Sequence, residues 1–226
     1  MLETATYVSG AKPYDPSNLK TLACSDPDIA VDVYWSPADG VSESDAQNAC
    51  TWTTAAVNHD SMMVGKQPPS ITYFIQLVPR GHSYYRRSVS IGLFGPPHLL
   101  YAVHADSTMA ISISDSIAHE TLHAWAELFK VPQARREGTR EEQVAYLAGE
   151  CATLAITGRF DIRDKATLTS DASAASYVTR SAQGDINLGE KIKPFFAEGP
   201  ILQRDSAEGR RFQDFCKAKI SAFFAP

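Results

Sequence analysis

The sequence predicts an α+β fold: a small, twisted, mostly antiparallel sheet packed on two helices and followed by a helical C-terminal part. Short alternating runs bounded by Pro, Gly and Ser recur through the first half. Two long segments with helical spacing lie among them. The order strand, helix, several strands, helix is the one expected when a sheet packs on two helices. At 226 residues and 44% hydrophobic the chain can bury one substantial core, and no Gly/Ser/Pro-rich linker divides it. Residues 1–226 are therefore read as a single domain, with the sheet and both helices in 1–130 and the helical part in 131–226.

Ile29 to Tyr34 alternates as a strand does, and Ser36-Pro37-Ala38-Asp39-Gly40 reads as a turn. Ser42 to Val64 is a long helix with Ala46, Ala49, Cys50, Thr53, Ala56 and Val57 on one side, and Pro68-Pro69 stops it. Ile71 to Val78, Ser88 to Phe94 and Leu99 to His104 follow as strands, and Ala110 to Ser114 alternates as a short one. Ser114 or Asp115 then offers an N-cap. Ile117, Ala118, Thr121, Leu122, Trp125, Leu128 and Phe129 recur at helical spacing, with no Gly or Pro before Pro132. After the polar turn Arg135 to Thr139, Thr139 caps a further, largely buried helix running from Glu141 and Glu142 to Ile156. Asp171 to Ser181, Asn187 to Phe196 and Ala207 to Phe224 are helical in patches, with Gly184, Gly189 and Pro200 as breakers.

The helix beginning near Ser114 carries His119-Glu120-Thr121-Leu122-His123. Histidines four apart share one helix face, so both imidazoles can reach one ion. Glu120 points to the edge of that face, where it could accept a proton from a metal-bound water. Chance alone places HExxH in roughly one such sequence per hundred, so context decides. An apolar helix turning two His and a Glu inward is costly unless a metal or partners satisfy them.

A catalytic zinc site needs a third protein ligand. The short connection after Pro132 makes the next helix an antiparallel neighbour, so Glu141 or Glu142 could approach the histidines. A one-residue shift rotates a helix by about 100°. Glu142 is favoured because it shares a face with Ala145, Tyr146 and Gly149, positions suited to close helix approach. Glu141 remains the rival, its simpler reading being a carboxylate that complements the helix dipole. Glu150 is either a residue orienting a ligand histidine or a solvated acid.

HExxH, eighteen intervening residues, then Glu142-Gln143-Val144-Ala145 resembles the gluzincin clan of zincin metallopeptidases. The resemblance covers residues 110 to 156. It implies a zincin-like fold with a backing helix and an active-site helix, and it carries the role of third zinc ligand onto Glu142. The order of elements is similar to the N-terminal half of zincin folds, where an edge strand lines the cleft and binds extended peptide by strand addition. That edge is expected between Leu99 and Ser114. The Gly-x-Met-Glu-Asn segment of aminopeptidases with this spacing is absent, which argues against that type. Ala124-Trp125-Ala126-Glu127-Leu128 after His123 lacks the Gly and third His of metzincins.

The implied activity is hydrolysis of a peptide amide bond. Zn2+ held by His119, His123 and Glu142 would lower the pKa of a fourth-site water, and Glu120 would take its proton. The oxyanion needs a second electrophile, for which Tyr146, one turn past Glu142, is the first candidate, with His104, Tyr101 and Tyr177 behind it. The run His82 to Arg87 reads as a hairpin tip that either overhangs the cleft or is an exposed turn. Other classes carried forward are a zinc amidase or peptidase acting on peptidoglycan, as an exported bacterial toxin or lysin, and a non-catalytic binding module on a zincin scaffold.

A net charge of -5 and pI near 5.7 argue against nucleic acid, the pairs Arg86-Arg87, Arg135-Arg136 and Arg210-Arg211 reading as solvated surface. No run of eighteen apolar residues spans a membrane. Met1-Leu2-Glu3-Thr4 has neither the basic start nor the apolar core of a signal peptide. Cys24, Cys50, Cys151 and Cys216 make an even set with three possible pairings. Cys24 with Cys50 and Cys151 with Cys216 would join neighbouring elements and suit an exported protein; four buried thiols would suit a reducing compartment. The reading leans to export.

Overall fold

The computed structural model describes residues 19–79, 88–90, 96–137, 140–162 and 191–225, with backbone alone at 88–90. Its elements are β1 (Lys20–Ala23), β2 (Ala30–Trp35), α1 (Glu43–Val64), β3 (Thr72–Val78), β4 (Ser88–Ser90), β5 (His98–His104), α2 (Met109–Leu128), α3 (Gln133–Arg136), α4 (Arg140–Thr157), β6 (Arg159–Asp161), β7 (Ile201–Gln203) and α5 (Ala207–Phe224). Single 3-10 turns occupy Pro37–Asp39 and Lys193–Phe196. The fold is α+β.

The main sheet has the order β1-β2-β3-β5-β4. It is mixed, and the expected antiparallel character holds only at its flanks, where β1 pairs with β2 and β4 with β5. The centre is parallel, β2 to β3 and β3 to β5. The reason lies in α1: a helix between two adjacent strands returns the chain to the same end of the sheet, so β2-α1-β3 must be a parallel unit. Register aligns the inward residues in rows. Val31 sits beside Tyr73 and Tyr73 beside Leu99; Val33 beside Ile75 and Ile75 beside Tyr101. All of these are buried, each burial being worth about 1.5–3 kcal/mol. Among the described residues the edges are β1 and β4, not a strand between Leu99 and Ser114, because β5 is flanked on both sides.

Helix α1 starts and stops for local reasons. The Ser42 hydroxyl accepts from Asp45 N–H at 3.1 Å while the Asp45 carboxylate accepts from Ser42 N–H at 2.9 Å, a reciprocal capping box. Gly65 ends it at φ 74°, ahead of the Pro68-Pro69 stop, in a conformation that suits only Gly well.

Ala110 to Ser114 is not a strand. It forms the first turns of α2, whose N-cap is Thr108 rather than Ser114 or Asp115. Met109, Ile113 and Ile117 continue one buried stripe at a spacing of four, and the Ser114 hydroxyl donates to the Ala110 carbonyl at 2.7 Å within that turn. Tyr101 O–H donates to the Ser112 carbonyl at 3.1 Å, fixing the start of α2 to β5. Thr121 O–H donates to the Tyr73 hydroxyl at 3.3 Å, fixing the middle of α2 to β3.

α4 packs antiparallel on α2, since Glu142 near its start meets His123 and Gly149 further along meets Asp115. A Cβ on Gly149 would lie 2.7 Å from the Asp115 carbonyl oxygen, so the residue buys close approach of the two helices. α5, capped by a hydrogen bond from Gly209 N–H to the Ser206 hydroxyl, packs on α4 and α1. The apolar core runs continuously from the sheet through α1 and α2 to α4 and α5. Disulfides join Cys24 to Cys50 and Cys151 to Cys216, the alternative that suits an exported protein rather than four buried thiols. Asp171 to Ser181, residues 187–190 of the next expected helix, residues 91–94 of the expected third strand, Thr139, Tyr177 and the run His82 to Arg87 lie outside the described residues. Among the described residues no helix is long and apolar enough to cross a membrane.

Candidate metal site

α2 divides the HExxH residues between two environments. Thr121 and Leu122 are buried in the core, while His119, Glu120 and His123 are only partly buried. The two imidazoles stack edge to face with centroids 5.0 Å apart, as side chains one helical turn apart should. The first turn of α4 closes over them. Glu142 Oε1 lies 3.5 Å from His119 Nε2, and Glu142 Oε2 lies 3.1 Å from His123 Nε2.

One donor atom from each of His119, His123 and Glu142 falls within 4.8 Å of the others, and among the described residues this is the one such group. The donors suit zinc. Two imidazole nitrogens and one carboxylate oxygen are borderline ligands of the right kind.

Charge couples the same residues. Glu142 is held below the usual carboxylate range, first by its hydrogen bond with His123, against the opposing effect of burial, then by the charges of both histidines and a hydrogen bond from Tyr146. At His123 burial disfavours the charged ring, yet hydrogen bonds to Glu142 and Glu141 and the charges of Glu142 and Glu120 outweigh it, raising the pKa to about 9. Glu120 is therefore close enough for its charge to act on His123.

Tyr146 comes to the site, its ring centroid 4.6 Å from that of His119. Tyr101 does not: it is fully buried and bonded to Ser112, about two helical turns before His119. His104 ends β5 and is not part of the donor group. Glu150 is buried, two turns along α4 from Glu142, and not a solvated acid.

Glu141 has a different place from the one expected at a helix start. Its Oε1 lies 2.8 Å from His123 Nδ1, and its Oε2 accepts from Arg136 Nε at 2.6 Å. Arg136 also donates to Glu127. The pair Arg135-Arg136 is thus not simple solvated surface, since Arg135 also donates to the Phe223 and Ala225 carbonyls at the end of α5. The sequence held one signal for this: Glu127 follows His123 by four, on the same helix face. Arg210 donates to the Asp205 carbonyl and Arg211 stands over the Phe195 ring.

Compared with known protein families and with curated proteins, the chain matches none.

Proposed function

We propose that this chain is a zinc-dependent metallopeptidase of gluzincin type that hydrolyses peptide amide bonds. The observation that carries the proposal is the convergence of His119, His123 and Glu142, from two helices, within 4.8 Å, beside the Glu of an HExxH segment. The sheet, the crossover helix α1 and the antiparallel pair α2 and α4 support a zincin-like reading of the fold. The two disulfides support an oxidising, exported setting.

His119 Nε2, His123 Nε2 and Glu142 would hold the ion. A zinc ion held there would supply Lewis acidity, making water at the site easier to deprotonate. Glu120 takes the proton from the attacking water and passes it to the leaving amine. Tyr146, packed on His119 and hydrogen-bonded to Glu142, would turn its O–H from that carboxylate to the developing oxyanion. Among the described residues β4 pairs only with β5, and its other side would take an extended substrate by strand addition.

Replacing Glu120 by Gln separates chemistry from scaffold. Hydrolysis of a peptide library by the zinc-loaded chain should fall to background while zinc stays bound. Zinc-loaded parent that cleaves neither peptide libraries nor purified peptidoglycan contradicts the enzyme reading and leaves a binding module. Cleavage of peptidoglycan alone reassigns the substrate.

A further inference from the structure

We infer that Glu141 is a positioning residue for His123, clamped by Arg136, and that it selects which ring nitrogen faces the metal; this rests on His123 being a ligand. An imidazole ligand is neutral and has one lone pair to give. Which nitrogen gives it is set by the hydrogen bond the other nitrogen makes. Glu141 Oε1 stands 2.8 Å from Nδ1. A carboxylate only accepts, so in the metal-free chain each ring nitrogen points a hydrogen at its own carboxylate, Nε2 at Glu142 Oε2 3.1 Å away; when the ring gives up one proton to take a metal, the Nδ1 hydrogen stays on Glu141 and Nε2 supplies the lone pair.

Adjacent residues on a helix point about 100° apart. Glu141 and Glu142 thus straddle the ring, one carboxylate to each nitrogen. Glu141 is thereby excluded as the third ligand, being on the far side of the imidazole from the His119–Glu142 pair.

Arg136 holds Glu141 in this role. It bonds Glu141 Oε2 at 2.6 Å, and its guanidinium is always charged, so it favours the acceptor form of the carboxylate. The other arm of Arg136 reaches Glu127, one turn past His123 on α2. Glu127, Arg136, Glu141 and His123 close a circuit through α2, α3 and α4. The Glu141 side chain is only 13% exposed, so its bond to the ring is poorly screened. The circuit fixes the ring of His123 and, through the backbone, the approach of Glu142.

The test uses the full, disulfide-bonded chain. With zinc bound and histidines labelled with 15N, His123 should show a metal-bonded Nε2 and a protonated, slowly exchanging Nδ1. Zinc affinity by chelator competition should fall about 10–100-fold in E141A with faster exchange of that proton. E141Q, whose amide oxygen can accept the same bond, should recover most of the loss. R136M should lie between parent and E141A. Metal on Nδ1 in the parent, E141A binding as tightly as the parent, or E141Q as weak as E141A overturns the inference. If E141A does not fold, the parent spectrum and R136M still decide. A parent that takes up no zinc removes the reading of the site and the inference together; zinc lost with H119A but indifferent to E141A removes the inference alone.

Discussion

Gly149 of α4 rests on Asp115 of α2, so closely that a Cβ there would lie 2.4 Å from the Asp115 carboxylate and 2.7 Å from its carbonyl oxygen. The carboxylate can swing aside; the backbone cannot. Gly149→Ala should cost about 1–3 kcal/mol by urea denaturation and weaken zinc, because α4 carries Glu142 on its first turn. A variant as stable as the parent with unchanged zinc affinity would show that the helix separation is not what sets the site.

Zinc binding should depend steeply on pH. The folded-state pKa of His123, about 9, lies above the unfolded value of about 6.5. In the metal-free chain the pairing with Glu141 and Glu142 therefore stabilises fully below about pH 6.5 and is lost as pH rises through about 9. Zinc requires the neutral ring and must displace that proton. Chelator competition should show affinity climbing by up to about tenfold per pH unit until about 9 and then levelling. A flat profile over that range would mean that the proton is not held by His123.

Asp60 gives a second, separate pH signature. It is 1% exposed, and burial raises its pKa from 3.8 to about 6 against the opposing influence of His59, whose Nδ1 lies 3.9 Å from the carboxylate. A raised carboxyl pKa means the folded state holds the proton more tightly, so this contribution to stability is complete below about pH 4 and lost as pH rises through about 6. Parent stability should fall across that window relative to Asp60→Asn, by about 1–3 kcal/mol. Parallel stability curves for the two proteins would contradict it.

The Cys151–Cys216 disulfide ties α4 to α5 across 65 residues, and the Gln213 amide donates to the Cys151 carbonyl at 2.9 Å beside it. Replacing both cysteines by Ser should cost about 2–5 kcal/mol. If zinc protects the chain by binding only the native state, saturating metal should recover part of that loss in a thermal melt. No change in melting temperature would show that α4 is held by packing alone.

Much of the candidate site was legible because helical periodicity speaks directly about side-chain position. His119 and His123 are four apart, and Glu142, one turn before Tyr146 and two before Gly149, shares their close-packed face. The alternation of Val31, Val33 and Trp35, or of Tyr73, Ile75 and Leu77, likewise marked strands. Ala110 to Ser114 misled because Ile111 and Ile113 alternate while Met109, Ile113 and Ile117 keep helical spacing, and five residues cannot separate the two periods. Strands β1, β6 and β7 are three or four residues long, too short for a period. Strand direction is a property of the crossover, not of the strand. The Glu141–His123 bond depends on rotamers and on an arginine from the connecting turn, neither of which leaves a local pattern.

The most direct measurement is the zinc content of the purified chain after dialysis, beside E120Q, H119A, H123A and E142A. About one zinc per chain is expected in the parent and in E120Q, as a three-ligand site with a fourth position for water requires, and most of it should be lost from each of the other three. A parent without stoichiometric zinc, or an E142A variant that retains it, would rule out a zinc site built from His119, His123 and Glu142.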